Sequence, residues 1–432
     1  MKPSIIASVA LFLIGYTSAY PAFHTEDLAP LYHNPGAEAI SNSYIVVLKD
    51  HVDTYQSMSH CNWVSSLIQS QSTNYPLDEL LDPDVASGIT HTYDMENWRG
   101  YAGRFNEDTM NRIRRSPDVA YVERDTIVYV MDIQRNAPWG LARISHREQL
   151  NLDTFHKYPH ENSGGKGVKV FIIDTGINIK HNDFQGRASW GVTVTEGDTD
   201  EDNNGHGSHC AGTVAGKRYG VAKKAEPVAV KVLNSNGSGS MSGVIAGVNW
   251  VVEQHKMDAA KARKSGKKYK GAVANMSLGG TKSRSLDESV NRAVENGILF
   301  AVAAGNDNAD ACSFSPGAAD NALTVGASNV RDERSYFSNH GSCVDVFAPG
   351  ENIVSVWNSG PDSTNTISGT SMASPHVAGL AAYFLSLADG EMTPGKLKQM
   401  IIEQSTRGLL TNMPKTTQNL LVYNNAPESF QF

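Results

Sequence analysis

Nearly continuous apolar runs recur through the second two-thirds of the chain, and each is short enough for one strand. The clearest, Val168–Asp174, ends on an acidic residue. Such runs are typical of strands buried on both faces of a parallel sheet. The predicted strands are 168–174, 228–233, 271–276, 298–303 and 322–326, and helices are predicted at 206–216, 241–255, 285–296 and 371–387. This alternation predicts an α/β fold, a parallel sheet with helices on both faces.

A different pattern occupies residues 41–130 and predicts a small α+β domain. Tyr44–Leu48 has the composition of a strand, and residues 52–69 have helical spacing. The predicted buried face of that helix carries Trp63, Val64, Leu67 and Ile68. Further strands are predicted at 90–93, 100–105 and 126–130, with a helix at 106–115 capped by Asn106. The polar segment 131–136 predicts a flexible processing segment, followed by a large domain at 137–425 and a tail at 426–432.

The amino terminus has the pattern of a secretory signal peptide at 1–19. The apolar run Ile5–Ile14 is too short to span a membrane, and Thr17–Ala19 offers small residues for cleavage. Residues 20–40 are rich in proline, histidine and acidic residues and predict a linker. No later apolar run reaches membrane length. We therefore expect a soluble mature protein in the secretory pathway, where disulfides are permitted.

Charge and composition narrow the class of partner. The net charge of −8 argues against nucleic acid as a main partner. The basic run Lys256–Lys270 is interpreted as a solvated helix end and loop. The four cysteines, Cys61, Cys210, Cys312 and Cys343, allow three pairings, and their spacing does not choose among these.

The candidate catalytic residues lie at the ends of predicted strands and at the starts of predicted helices. Asp174 closes a strand, His206 is flanked by glycines before a helix, and Asn306 follows another strand. Ser371 opens an apolar helix, with Thr370 and Ser371 expected to cap it and Pro375 expected in its first turn. Histidine as base, carboxylate as its partner, serine as nucleophile and an amide donor form a complete acyl-transfer site.

The histidine segment allows two other interpretations. His206 and His209 could share a metal ion, but the segment offers no third ligand and no metalloprotease glutamate. Cys210, four residues after His206, is expected on the same helix face as a free thiol near the site.

The motifs resemble those of the subtilisin-like serine proteases. Asp174–Gly176, His206–His209 and Gly369–Pro375 are similar to the three signature motifs of that family, and they occur in its order. The resemblance covers nearly all of 137–425 and is greatest to the proteinase K branch, within it to the fungal cerevisins. It implies a serine endopeptidase acting on polypeptide substrates through an acyl-enzyme.

The resemblance also implies a role for each site residue. Ser371 would be the nucleophile, His206 the base, Asp174 its orienting carboxylate and Asn306 an oxyanion donor. The implied substrate-binding residues are Gly237, Ser238, Gly239, Ser277, Leu278, Gly279, Ala303, Ala304 and Gly305. Small uncharged groups among them imply broad specificity, with apolar or aromatic side chains preferred at the cleavage site.

Other features are implied by the same resemblance. Residues 41–130 would be an I9-like inhibitory prodomain that is removed by self-cleavage, and Cys312 and Cys343 would form a disulfide. Asp345 would bind a structural calcium ion together with the Asp320 and Ala322 carbonyls, although the chemistry itself requires no cofactor. The protein would be a monomer of the vacuolar lumen or the extracellular space.

The sequence leaves two alternative functions to compare with this one. One is a catalytically silent relative that acts as a binding module and retains its prodomain; the intact Asp174, His206, Asn306 and Ser371 argue against it. The other is an esterase or lipase, which the catalytic order and the absence of a Gly-x-Ser-x-Gly elbow disfavour.

Overall fold

A computed structural model describes residues 28–33, 39–72, 88–126, 131–388, 390 and 392–426. The chain forms two compact units, Met1–Val128 and Tyr129–Phe432, and each has its own sheet and its own core. The predicted signal peptide lies outside the described residues. Among the residues that are described, no helix has both the length and the apolar character needed to cross a bilayer.

The first unit contains a five-stranded sheet in the order β1-β5-β2-β4-β3. β1 pairs parallel with β5, and the other neighbours are antiparallel. The elements are β1 Leu31–Tyr32, β2 Ala39–Leu48, α1 Thr54–Ser72, β3 Gly88–Met95, β4 Trp98–Arg104, α2 Glu107–Arg114 and β5 Val119–Thr126. Val46, Val64 and Tyr101 are fully buried in its core. Asn106 caps α2 as predicted, because its side chain accepts the backbone N–H of Thr109 at 2.8 Å.

Three predictions for this unit were wrong in part. Trp63, predicted on the buried face of α1, is 39% exposed, whereas Val64 is buried as predicted and His60, which was not predicted, is buried beside it. The predicted linker contributes β1, whose Leu31 lies opposite Val122 of β5. The last strand was predicted at 126–130, but β5 begins at Val119 and residues 127–130 lie outside the described part.

The second unit is built on a nine-stranded sheet in the order β19-β20-β16-β15-β13-β11-β8-β10-β9. Its strands from β20 to β9 pair in parallel, which confirms the predicted α/β class, and β19 is antiparallel. The main-sheet strands are β8 Lys169–Asp174, β9 Ser189–Thr193, β10 Glu226–Lys231, β11 Ala272–Met276, β13 Ile298–Ala303, β15 Leu323–Ser328, β16 Val346–Pro349, β19 Thr406–Arg407 and β20 Leu420–Leu421. Three small two-stranded sheets add β6 Met131–Arg135 with β7 Lys157–Glu161, β12 Gly280–Thr281 with β14 Phe314–Ser315, and β17 Ile353–Val356 with β18 Thr364–Ile367.

Helices cover both faces of the large sheet. They are α3 Trp139–Arg143, α4 His206–Ala215, α5 Met241–Lys264, α6 Arg284–Glu295, α7 Thr370–Leu387 and α8 Pro394–Gln404. Along β8, Val170 and Ile172 pack in one core with residues of α4 and α7. Phe171 and Ile173 point the other way, into a second core with α5 and α6. Because neither face of the middle of β8 meets water, its residues from Val170 to Ile173 are all apolar.

The predicted flexible segment 131–136 is mostly a strand. Residues 131–135 form β6, which pairs antiparallel with β7 so that Ile133 lies opposite Pro159. The polar side chains of this segment are typical of a flexible loop. In a two-stranded hairpin, however, side chains can stay in water while the backbone N–H and C=O groups pair. The helix predicted at 241–255 also continues to Lys264, since no proline or glycine interrupts the basic run before Gly266.

The start of α7 differs from its prediction in two ways. Neither Thr370 nor Ser371 caps it with its hydroxyl: Gly369 is the N-cap, and Asn306 Oδ1 accepts both the Thr370 N–H at 2.8 Å and the Thr370 hydroxyl at 2.9 Å. Pro375 lies inside the helix rather than in its first turn. A proline there leaves the carbonyl four residues earlier without its helical donor. That carbonyl, of Ser371, instead accepts the Ser277 hydroxyl at 2.8 Å and the Cys210 thiol at 3.4 Å.

Candidate active site

Asp174 is the last residue of β8, and its side chain is fully buried. Its Oδ1 accepts the backbone N–H of Thr175 at 2.8 Å and the Nδ1–H of His206 at 2.8 Å. A buried carboxylate requires such donors, because its charge is costly without them. Since Nδ1 carries the proton in this bond, Nε2 is the basic nitrogen of the neutral ring.

His206 begins α4 directly after Gly205, whose φ of 105° is in the left-handed region that favours glycine. Asp202 organises this turn. Its Oδ1 accepts the Gly205 N–H at 2.8 Å, and its Oδ2 accepts the Ser208 N–H at 3.0 Å. One carboxylate therefore ties together the two sides of His206.

Thr175 connects this turn to the strand that carries Asp174. Its hydroxyl donates to Asp202 Oδ1 at 2.9 Å and accepts the Gly207 N–H at 2.9 Å. Sequence reasoning assigned no role to Asp202 or Thr175. The available signal was an acidic residue shortly before a helix start, which is the pattern of a capping residue.

The electrostatic surroundings of His206 favour its protonated form. Its side chain is 25% exposed. Burial by itself lowers the pKa, but the charge and hydrogen bond of the Asp174 carboxylate, together with Cys210, act against it and hold the pKa of His206 well above the ordinary value of 6.5. Because Asp174 already accepts the Nδ1–H, the ring is prepared to accept and hold a further proton on Nε2.

Cys210 is a free, buried cysteine that contacts both His206 and the Ser371 backbone. Its Sγ lies 4.0 Å from His206 Nδ1 and donates to the Ser371 carbonyl at 3.4 Å. Burial raises the pKa of this thiol, so it stays protonated at neutral pH.

A metal site around these histidines is not favoured by the geometry. Ligand atoms of Asp174, His206 and Cys210 lie within 4.8 Å of one another, but the Asp174–His206 hydrogen bond already occupies two of them. His209 faces elsewhere, where its buried Nε2 donates to the Ile353 carbonyl at 2.9 Å.

Ser371 is the second residue of α7 and lies at the same end of the sheet as Asp174. Its hydroxyl donates to the Ser277 carbonyl at 3.2 Å, and within the described residues it makes no hydrogen bond to His206. Hydrogen bonds between nucleophile and base are often long or misaligned until substrate is bound. Cys210, which touches the His206 ring and the Ser371 carbonyl, shows that the two residues are neighbours.

Asn306 presents its amide beside the start of α7. Its Oδ1 accepts both the N–H and the hydroxyl of Thr370, at 2.8 and 2.9 Å, so its Nδ2 points the other way. A Cβ atom added to Gly369 would lie 3.6 Å from Asn306 Nδ2 and 3.6 Å from the Ser371 backbone nitrogen. Two N–H donors therefore flank one small space, which any side chain at Gly369 would fill.

A cleft of about 430 Å³ leads away from His206. Six of the predicted substrate-binding residues line it: Gly237, Ser238, Gly239, Ser277, Leu278 and Gly279. Apolar side chains that the sequence analysis did not select form its far wall: Leu233, Met241, Val244 and Leu286. Ala303, Ala304 and Gly305 are not among its lining residues; they lie at the end of β13, next to Asn306.

The oxygen atoms predicted to bind calcium contact a lysine instead. The Lys398 ammonium lies 3.0 Å from Asp345 Oδ2 and donates to the Asp320 and Ala322 carbonyls. The residues present therefore do not fit a metal ion, because a positive group of the chain itself already meets the proposed ligands.

The disulfide implied by the resemblance is present. Cys312 and Cys343 are bonded, with their Cα atoms 5.3 Å apart. Cys61 is unpaired in the first unit, as expected from that assignment.

Fold and site together indicate a class of protein: serine peptidases built on a doubly covered parallel sheet. Residues 165–423 match the family model described as Peptidase S8, the subtilase family, and residues 43–131 match the peptidase inhibitor I9 model. The chain therefore belongs to the subtilase family. It is a serine endopeptidase, synthesised as a zymogen with an I9 inhibitory propeptide.

Individual relatives agree with this assignment. The chain is 52% identical over 414 residues to the subtilisin-like serine protease Pen ch 18 of Penicillium rubens, covering 92% of this chain and 83% of that protein. It is 50% identical over 447 residues to alkaline protease 2 of Aspergillus fumigatus, covering 99% and 90%. A crystal structure of a cold-adapted subtilisin-like serine proteinase is 44% identical, with a TM-score of 0.60, and covers 68% of this chain and all of that structure.

Proposed function

We propose that Ser371 attacks the peptide carbonyl while His206 Nε2 accepts its proton, and that His206 then donates this proton to the leaving amine. The observation that carries this proposal is the 2.8 Å bond between the buried Asp174 carboxylate and His206 Nδ1. That bond sets the tautomer and stabilises the imidazolium formed when the serine is deprotonated. An acyl-enzyme on Ser371 follows and is hydrolysed by water through the same base.

The space between Asn306 Nδ2 and the Ser371 N–H is the proposed oxyanion site. Donors placed before the reaction stabilise charge that develops on the carbonyl oxygen without further reorganisation. Gly369 keeps this space open, because its missing Cβ would stand 3.6 Å from both nitrogens.

Replacing Asn306 by alanine is expected to lower kcat by about 100- to 1,000-fold with little change in KM. The reason is that the lost donor acts on the transition state and not on the bound substrate. Asn306→Asp is the matched variant, since it keeps an oxygen that can accept from Thr370 but offers no N–H. Steady-state kinetics on a chromogenic peptide would measure both; near-normal kcat in Asn306→Asp would remove the donor role.

Substrates are proposed to bind as extended strands along the cleft. Ser277–Gly279 forms one wall, and Asn236–Gly239 lies across from it. The backbone groups of Leu278 make no hydrogen bond within the described residues, so they are available to an added strand. Apolar side chains of the peptide would pack against Leu233, Val244 and Leu286, which line the cleft.

The enzyme is expected to digest casein and, on a peptide library, to prefer apolar or aromatic residues before the cleaved bond. The apolar side chains that line the cleft, Leu233, Val244 and Leu286, support this preference. The control is the same preparation treated with a fluorophosphonate, which should label Ser371 and abolish the digestion. A library profile dominated by Arg or Lys would contradict the specificity, and digestion that survives labelling would contradict the mechanism.

The zymogen is proposed to process itself between about Val130 and Asn136. The signal peptide pattern at 1–19 supports a location in the secretory pathway, and the proposed destination is the vacuolar lumen or the extracellular space. The enzyme is proposed to act as a monomer. A silent binding protein would not need the buried Asp174–His206 bond.

A further inference from the structure

Three oxygen atoms converge where β15 and β16 begin. This is the amino-terminal end of the parallel strands, whereas Asp174 lies at the carboxyl end of β8. Ala322 directly precedes β15, Asp345 directly precedes β16, and the two strands are parallel neighbours. The carbonyl oxygens of Asp320 and Ala322 and one Asp345 carboxylate oxygen all contact the same cation. One carboxylate and two carbonyls form a set of hard oxygen donors, the kind that Ca²⁺ prefers.

The cation in contact with these oxygens is the Lys398 ammonium of α8. It lies 3.0 Å from Asp345 Oδ2, 3.2 Å from the Asp320 oxygen and 2.5 Å from the Ala322 oxygen. An ammonium group has three N–H donors, so all of them are used by these three acceptors. An ordinary surface ion pair would satisfy only the carboxylate.

The surroundings hold both partners in place. The side chains of Lys398 and Asp345 are each 20% exposed. Asp345 Oδ2 also accepts the Thr324 N–H at 2.8 Å, which fixes the carboxylate at the strand start. α8 is anchored by Leu397 and Ile401, which are 2% and 1% exposed, so the Lys398 backbone is held over the site.

The cluster requires a positive charge. Burial raises the pKa of the Asp345 carboxyl, while Lys398 acts against this shift. Without the ammonium, a partly buried carboxylate and two carbonyls would face one another with no counter-charge. That arrangement is destabilising unless another cation enters or the carboxyl takes up a proton.

We propose that the Lys398 ammonium is a built-in substitute for a metal ion, so that calcium adds no stability at this cluster. The site becomes a calcium site when the lysine side chain is removed. The ammonium and a calcium ion require the same space between the same three oxygens, and therefore only one of them is present at a time.

The test compares Lys398→Ala with its parent by thermal unfolding of the full chain, in EDTA and in excess calcium chloride. All proteins carry Ser371→Ala to prevent self-digestion. In EDTA, Lys398→Ala is expected to unfold about 5 °C below the parent, since the cluster loses its counter-charge. Calcium should restore at least about half of that loss by binding the folded state.

Matched variants define the interpretation. Lys396→Ala removes an exposed lysine from the same helix and should match the parent in both conditions. Lys398→Met should lose stability but show no calcium response, because its side chain still fills the site. Adding Asp345→Asn to Lys398→Ala should abolish calcium binding in a calorimetric titration. A rise of Tm in calcium that is the same in every variant comes from calcium bound elsewhere, and it cancels when each variant is compared with the parent.

Several results would overturn the proposal. One is a Tm of the parent that rises in calcium, together with the absence of that rise when the parent carries Asp345→Asn. This result would mean that the metal displaces the lysine. Another is a Lys398→Ala protein as stable as Lys396→Ala in EDTA. A third is Lys398→Ala that gains nothing from calcium, or that fails to fold in both conditions while Lys398→Met folds. Folding of Lys398→Ala only in calcium would support the proposal.

Discussion

Ser371→Ala is expected to remain an uncleaved precursor and to lose about a millionfold in peptidase activity, the loss known for the corresponding change in subtilisin. The hydroxyl is the proposed nucleophile both for substrates and for self-cleavage. The fold should survive, because the other interactions of Ser371 use its backbone carbonyl, which accepts from Ser277 and Cys210. Gel mobility, amino-terminal sequencing and fluorophosphonate labelling would measure the result.

The matched control is Ser368→Ala, three residues earlier on the chain. Its exposed hydroxyl accepts the Asn352 N–H at 2.8 Å and takes no part in the proposed chemistry. This variant should mature and digest casein normally. A cleaved product from Ser371→Ala produced alone would show that another protease performs the processing, whereas retained casein digestion would eliminate the nucleophile assignment.

Asp174→Asn is expected to reduce kcat by about 10,000-fold, the second largest effect. The carboxylate lies 2.8 Å from His206 Nδ1 and raises the pKa of that ring above 6.5. The base must be neutral to act, so the wild-type rate should rise with pH through a value above 6.5. Without the carboxylate, burial still lowers the pKa of His206, and the remaining activity should persist to lower pH.

The pH dependence of kcat/KM for both proteins would measure this shift. Because the variant should not process itself, its precursor would be matured by a trace of affinity-tagged wild-type enzyme, which is then removed. Asp200→Asn is the control, since this exposed acid bonds only to the Thr193 hydroxyl in the described structure. An unchanged acid limb in Asp174→Asn would mean that another group controls the ionisation of His206.

Much of the architecture was predictable from local patterns. The apolar run ending in Asp174 predicted β8 to within a residue of its bounds, because burial on both faces leaves no polar position between Lys169 and Asp174. The α2 cap was predicted from Asn106 followed by two acidic residues, which suit the positive end of a helix. Cap and strand signals of this kind depend only on neighbouring residues.

Predictions that depended on distant partners were less successful. Pro375 was placed in a first turn, since nothing near it reveals that Ser277 and Cys210 supply donors to the freed carbonyl. Trp63 was assigned to a core that is filled by other side chains. For Asp345 the resemblance implied a calcium ligand, which stays a prediction, and nothing near it in the sequence indicates that Lys398 of a later helix lies beside it.

By itself the sequence determined the order and kind of the elements, the residue types available for acyl transfer and the order in which they occur. Only the tertiary structure decided which groups meet: Asp174 with His206, 32 positions away, and Ser277 with Ser371, 94 positions away. The physical reason is that periodicity records whether each residue faces water or the core. Strand order, which brings the ends of β8 and β11 and the start of α7 together, arises from packing helices against both faces of one sheet.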